Sequence, residues 1–207
     1  ASGADLVVPL DTEGKETLLQ VTNTLGNSVN ASISVINSVG TVLLAPANIV
    51  LGPKATWVAS LRSQIPNQKA YALVKGALPN SLIAGVIQYT TSVQKGLNYM
   101  YLVPAQPSTG VVLRGSYNTF LSQRSELWIT NTSAGTQLAS VQVVRSDGFS
   151  PMAPLQLVLP PHGMYMLPIA DRDAYGVITV QGQINDSLVA WVQRQRSDYV
   201  MPTPVRE

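Results

Sequence analysis

Leu19-Gln20-Val21-Thr22-Asn23-Thr24 and Leu127-Trp128-Ile129-Thr130-Asn131-Thr132 stand 108 residues apart and read as one pattern. At the same offset Ser32-Ile33-Ser34-Val35, running to Gly40, lies over Ser140-Val141-Gln142-Val143, running to Gly148. Ile49-Val50-Leu51-Gly52-Pro53 lies over Leu157-Val158-Leu159-Pro160-Pro161, Trp57 meets Tyr165, and Leu61 meets Ile169. After a slip of two, Ser81-Leu82-Ile83-Ala84 lies over Ser187-Leu188-Val189-Ala190. Last, Tyr101-Leu102-Val103-Pro104 matches Tyr199-Val200-Met201-Pro202. Chance supplies one such match, not five in the same order. Fixed-period self-similarity marks a repeat, so the chain reads as two tandem copies, residues 1–106 and 107–207. Each is of ordinary domain size. The join lies in the Pro/Gly/Ser-rich stretch Pro104–Gly110, which suits a short stiff linker.

Within each copy the period is two. Ile33 and Val35 share one face and Ser32 and Ser34 the other; Val141 and Val143 oppose Ser140 and Gln142. That alternation is a strand with one dry side. Leu82-Ile83-Ala84-Gly85-Val86-Ile87 is apolar on both faces. Such a run fits a central strand or a buried helix, and β-branched content with the preceding Pro79-Asn80 favours strand. Turn chemistry falls between the runs, at Gly26-Asn27, Gly52-Pro53, Asp147-Gly148 and Pro160-Pro161-His162-Gly163. No stretch keeps a 3.6-residue period with caps. The expected fold is all-β: two tandem immunoglobulin-like antiparallel β-sandwich domains related by internal duplication.

The order Val21-Thr22-Asn23, Gly40, Leu51-Gly52-Pro53 and its counterpart Ile129-Thr130-Asn131, Gly148, Leu159-Pro160-Pro161 resembles the immunoglobulin-like modules of bacterial secreted and surface proteins. The resemblance covers most of both copies and rests on strand and turn motifs. It implies fold, and modules that are mostly non-catalytic; it carries no site residue. The usual glycine after the proline is Lys54 in one copy and His162 in the other, which leaves the type of that turn open.

Composition narrows the function. The 207 residues are 45% hydrophobic and only 12% charged, with a formal net charge of +2. Charge is about half the usual ~25%, and disorder needs low hydrophobicity with high net charge. A balance this weak gives no reason to expect nucleic acid or an anionic membrane as partner. No apolar run approaches the ~18 residues of a membrane span. With no cysteine there is no disulfide to reveal a compartment. The small-residue start Ala1-Ser2-Gly3 is what signal-peptide cleavage leaves, so an extracellular or cell-surface location is expected.

Catalysis has little to work with. His162 is the lone histidine, it sits in a turn, and its counterpart is Lys54. A His or Cys triad would have that one base. A transition-metal site wants several His or Cys. Asp171-Arg172-Asp173 is the one dense acidic cluster, and an internal arginine makes it a poor calcium cage. No catalytic residue, metal site or cofactor is assigned. Sequons begin at Asn30, Asn131 and Asn185, about what composition alone supplies.

Aromatics are the binding candidates. Trp57 and Tyr165, equivalent in the two copies, read as core. Trp128 alternates with Leu127 and Ile129 and so points outward, a candidate platform for a sugar ring or partner chain. Tyr99 and Tyr101 share a strand face; they would hold a glycan or cover the inner edge of a sheet. The leading expectation is a non-catalytic extracellular structural or interaction protein, a subunit or spacer of a surface assembly joined through strand edges. Leu6–Leu10 or Tyr199–Met201 would be the donated strand. The alternative is a carbohydrate-binding or adhesion module using Trp128, Tyr99 and Tyr101. A two-domain chaperone and an enzyme rank below these.

Overall fold

The computed structural model describes residues 5–92, 96–108, 110–196 and 199–206. The chain divides into two compact units, Ala1–Pro107 and Ser108–Glu207. The first holds β1 (Asp5–Asp11), β2 (Glu16–Asn23), β3 (Val29–Asn37), β4 (Val42–Leu51), β5 (Thr56–Ser60), β6 (Lys69–Gly76), β7 (Leu82–Ser92), β8 (Gly96–Pro104) and the short β9 (Gln106–Pro107). The second holds β10 (Val112–Asn118), β11 (Arg124–Asn131), β12 (Gln137–Arg145), β13 (Leu155–Leu159), β14 (Met164–Pro168), β15 (Tyr175–Gly182), β16 (Leu188–Arg196) and β17 (Tyr199–Val205). One 3-10 turn, Phe120–Ser122, interrupts the strands.

Each unit is a pair of antiparallel sheets. Unit one has the orders β4-β3-β6-β1-β9 and β5-β2-β7-β8; unit two has β13-β12-β15-β10 and β14-β11-β16-β17. Apart from the short β9, these are one topology used twice. In unit one, pairings β2–β5 and β2–β7 build one sheet of the β-sandwich, and β3–β6 and β1–β6 the other. Alternation drives the result. In β2, residues Thr17, Leu19, Val21 and Asn23 are buried while Glu16, Leu18, Gln20 and Thr22 are partly open. In unit two Leu127, Ile129, Val141, Val143, Ile178, Val180, Ala190 and Val192 form one core from both sheets. Each fully buried aliphatic contributes roughly 1.5–3 kcal/mol, enough in sum to offset the ordering of short strands.

The Thr-Asn signature has a structural cause. Asn23 and Asn131 are fully buried. Asn23 Nδ2 donates to the carbonyls of Asn27 at 2.7 Å and Gly52 at 2.8 Å, and its Oδ1 accepts from Leu25 N–H at 2.8 Å. Asn131 repeats this on Gly135, Pro160 and Ser133 at 2.8, 2.8 and 2.9 Å. One side chain thus ties the turn after its own strand to the turn between the fourth and fifth strands. It satisfies backbone groups that burial would otherwise leave unpaired. The sequon at Asn131 is a clamp with no free amide. The Pro turn is alike in both units: Lys54 (φ 57°) and His162 (φ 55°) take the left-handed conformation a glycine would ordinarily supply.

Two sequence expectations change here. The last strands are offset from the match read in sequence. Pro104 pairs with Gly85 and Pro204 with Trp191, so Pro104 corresponds to Pro204, not to Pro202. The proposed donated strands are already engaged: Leu6–Leu10 pairs with β6, and Tyr199–Met201 with β16. Giving up either would sacrifice a ladder of backbone hydrogen bonds.

Candidate functional site

Trp128 is the first correction. Its parity is as expected: it lies on the outer face of its sheet, opposite in direction to the core residues Leu127 and Ile129. It is not exposed, however, with 2% of its surface accessible. Register explains the crowding. Trp128 sits between Met166 on β14 and Trp191 on β16, and Pro204 ends the row. Its indole N–H donates to Glu126 Oε2 at 2.5 Å. A ring walled in by large neighbours offers no platform to a sugar.

Tyr99 and Tyr101 stack, with ring centroids 6.1 Å apart at 26°. They point inward. Tyr101 is nearly buried, and its hydroxyl donates to Gln88 Oε1 at 2.6 Å. Gln88 in turn donates to the Asp11 carbonyl at 2.7 Å, beside the buried ion pair of Lys15 with Asp11. Tyr101 belongs to this polar plug, and Tyr99 lies half-buried beside it on the same face. Of the two readings open in sequence, the geometry supports inner-edge cover. Trp57 and Tyr165 do occupy equivalent places, opposite Val21 and Ile129, at the mouth of the sandwich rather than deep in the core: Trp57 is half-buried and Tyr165 exposed.

Besides Tyr165, three exposed aromatics gather at one end of unit two. Phe120 and Tyr175 lie 5.8 Å apart, both exposed. Phe149, also exposed, lies under the Arg145 guanidinium at 4.9 Å. Leu121 and Ser122 adopt left-handed φ of 56° and 60°, rare for such residues, and so shape the loop that carries Phe120. Beneath them Arg145 grips Asp171 with Nε at 2.9 Å from Oδ2 and Nη2 on Oδ1, while the Tyr117 hydroxyl donates to Asp171 Oδ2 at 2.7 Å. The Arg145 hydrogen bonds hold the Asp171 carboxyl below the usual carboxylate range, against the opposing effect of burial. Burial, with the neighbouring Asp171, pushes the Tyr117 phenol up. Asp171 is thus engaged by Arg145 and Tyr117, and its charge braces a loop. Sequence holds one signal for this end, the apolar pair Phe120-Leu121 between polar turn residues.

A second surface is apolar without being aromatic. On the outer face of β5-β2-β7-β8, Ile83, Met100 and Leu102 are 61%, 61% and 57% exposed, and Val58 is half exposed. Register puts Ile87 across from Leu102 on that same face. Strand β8 is an edge, and Gly96–Pro104 carries no charged residue. Among the described residues, no three His, Cys, Asp or Glu gather as a metal site would need. No described helix is long and apolar enough to cross a membrane.

No protein-family model matches the chain, and no curated protein does. Among solved structures, a Streptomyces avermitilis alpha-L-rhamnosidase complexed with L-rhamnose aligns over 99% of this chain at 12% identity and a TM-score of 0.29. A secreted-type Parabacteroides distasonis protein aligns over 95% of this chain at 9% identity and a TM-score of 0.25, the alignment spanning 72% of that protein. Bacteroides uniformis beta-glucuronidase 2 aligns over 97% at 10% identity and 0.22. This chain spans 26% of the rhamnosidase and 26% of the glucuronidase. Likenesses at these scores assign neither a site nor an activity.

Proposed function

We propose that the protein is a non-catalytic, extracellular structural or interaction protein: a subunit or spacer of a surface assembly built from immunoglobulin-like modules. The observation that supports this is the exposed apolar group Ile83, Met100 and Leu102 on the outer face of β7 and β8, bordered by the uncharged edge of β8. A contiguous exposed apolar patch is the mark of an interaction surface. A long edge strand without charge is an invitation to pair with another chain. The face would meet a protein surface, a second copy included. Sedimentation and negative-stain microscopy of the full chain test it. Assemblies that dissolve when Met100→Lys and Leu102→Lys are combined support the reading. Dispersed monomers at every concentration count against it.

The glycan-binding reading moves from Trp128, Tyr99 and Tyr101 to Phe120, Tyr175 and Phe149, because these exposed rings lie at one end of unit two, with Phe120 and Tyr175 in contact. Calorimetric titration with polysaccharides tests it, with Tyr175→Ala as control. Heat that persists unchanged in that variant removes this site from consideration.

A further inference from the structure

Unit one has an apolar cleft of about 180 Å³ between β4 and β5, the edge strands of its two sheets. Leu19, Ile33 and Val35 form its floor, and Ala47, Ala59 and Trp57 its mouth. The strand pairing says why it is open. Ala47 stands opposite Ile33 and Ala59 opposite Leu19. At the matching places in unit two, Leu155 stands opposite Val141 and Leu167 opposite Leu127. Leu155 and Leu167 both pack against the core of unit two. Two alanines in place of two leucines remove six carbons from the lining of this cleft. The same scaffold therefore fills this space with its own leucines in one unit and leaves it empty in the other.

We propose that the cleft is a receptor for a leucine-like aliphatic side chain, delivered by an extended polypeptide segment that adds to the open edge of β5. Three observations carry this. Unit two demonstrates the shape that fits, a branched aliphatic group. The free edge of β5 can bond a further strand, whose alternate side chains then point between the sheets beside Trp57 and Ala59. Neither Val42–Leu51 nor Thr56–Ser60 contains a charged residue, so the rim matches an uncharged guest. This site is separate from the face proposed above for assembly, and either can fail without the other.

The test uses the full chain and a blocked, dye-labelled peptide Lys-Thr-Leu-Thr-Leu-Thr-Lys, with its Leu→Thr counterpart as control, read by fluorescence anisotropy. The wild type binds the leucine peptide and the control at least about tenfold more weakly, since burying one leucine is worth that much. Ala47→Leu with Ala59→Leu abolishes binding. Leu155→Ala with Leu167→Ala opens the second unit and adds a second binding event, which keeps the test decisive if the first variant folds poorly. Met100→Lys with Leu102→Lys leaves peptide binding intact. Equal binding of both peptides, or undiminished binding by the filled variant, overturns the proposal. Protection of Trp57 by cyclohexanol without any peptide binding also overturns it, in favour of a small-molecule pocket.

Discussion

Gln20 faces Gly85 across β2 and β7; at the same place in unit two Trp128 faces Trp191. Leu10 faces Ala70 across β1 and β6, where unit two pairs Tyr117 with Gly176. A methyl group on Gly176 would run into the Val144 carbonyl oxygen and come within 2.7 Å of Arg145 Cα and 2.9 Å of the Tyr117 ring, so the β12 backbone demands glycine first and the larger ring second. Ala47 and Ala59 become Leu155 and Leu167. Against these exchanges stand Asn23 and Asn131, whose hydrogen bonds go to corresponding partners at nearly equal distances. The contrast separates two kinds of position. A side chain that satisfies buried backbone groups has one geometry and few substitutes. A side chain that fills space can be traded for another: volume is kept in the exchange of Leu10–Ala70 for Tyr117–Gly176, and is not kept at Ala47 and Ala59, where a cleft stands open.

The sharpest way to break the comparison is to remove the clamp from each unit in turn. Asn23→Ala and Asn131→Ala each strand buried carbonyls and should cost about 3 kcal/mol. Urea unfolding measures this, with Trp57 reporting on unit one and Trp128 and Trp191 on unit two. Unequal costs would show that the matching hydrogen bonds do not carry matching weight. Next comes the cleft. Leu155→Ala with Leu167→Ala should destabilise unit two by about 2 kcal/mol, below the value for full burial because both leucines are partly exposed. Ala47→Leu with Ala59→Leu should stabilise unit one by about 1 kcal/mol, as cavity filling commonly does.

Acid sharpens the comparison further. Asp171 has its carboxyl lowered by Arg145, whereas the corresponding loop Arg62-Ser63-Gln64 has no carboxylate. A lowered native pKa contributes stability that is present above the unfolded value of 3.8 and is lost as pH falls through the native value. Unit two should therefore lose this increment below pH 3.8, and Asp171→Asn should remove it at neutral pH and flatten the acid response of unit two alone. Thermal melts between neutral pH and strong acid check this. The smallest effect belongs to the bare face: Met100→Lys with Leu102→Lys should change stability by no more than about 0.5 kcal/mol while altering association.

Much of the fold was legible because local rules act on short stretches. Ser32–Val35 and Ser140–Val143 alternate, and alternation has one backbone that buries one side. The Thr-Asn signature was visible as a recurrence; its role as a clamp was not, since the carbonyls it holds come from turns up to 29 residues away. The candidate site was less legible. Parity correctly sent Trp128 to the outer face, and failed to expose it because the crowding partners Met166 and Trp191 lie on other strands. For Tyr99 and Tyr101 the sequence supports two readings, and Gln88, on the neighbouring strand, decides for Tyr101 by accepting a hydrogen bond from its hydroxyl inside the sandwich. Phe120, Tyr175 and Phe149 lie in three separate segments, and no spacing links them.

The sequence by itself determined the duplication, the strand periodicity, the places of the turns and the poverty of catalytic groups, because each follows from residue type and neighbours along the chain. Tertiary structure alone decided which strands pair, that Leu6–Leu10 and Tyr199–Met201 are already paired, which aromatics meet water, and that Ala47 and Ala59 open a cleft which Leu155 and Leu167 close. Those outcomes depend on volume and register across strands far apart in sequence, and neither quantity is written in any single stretch of the chain.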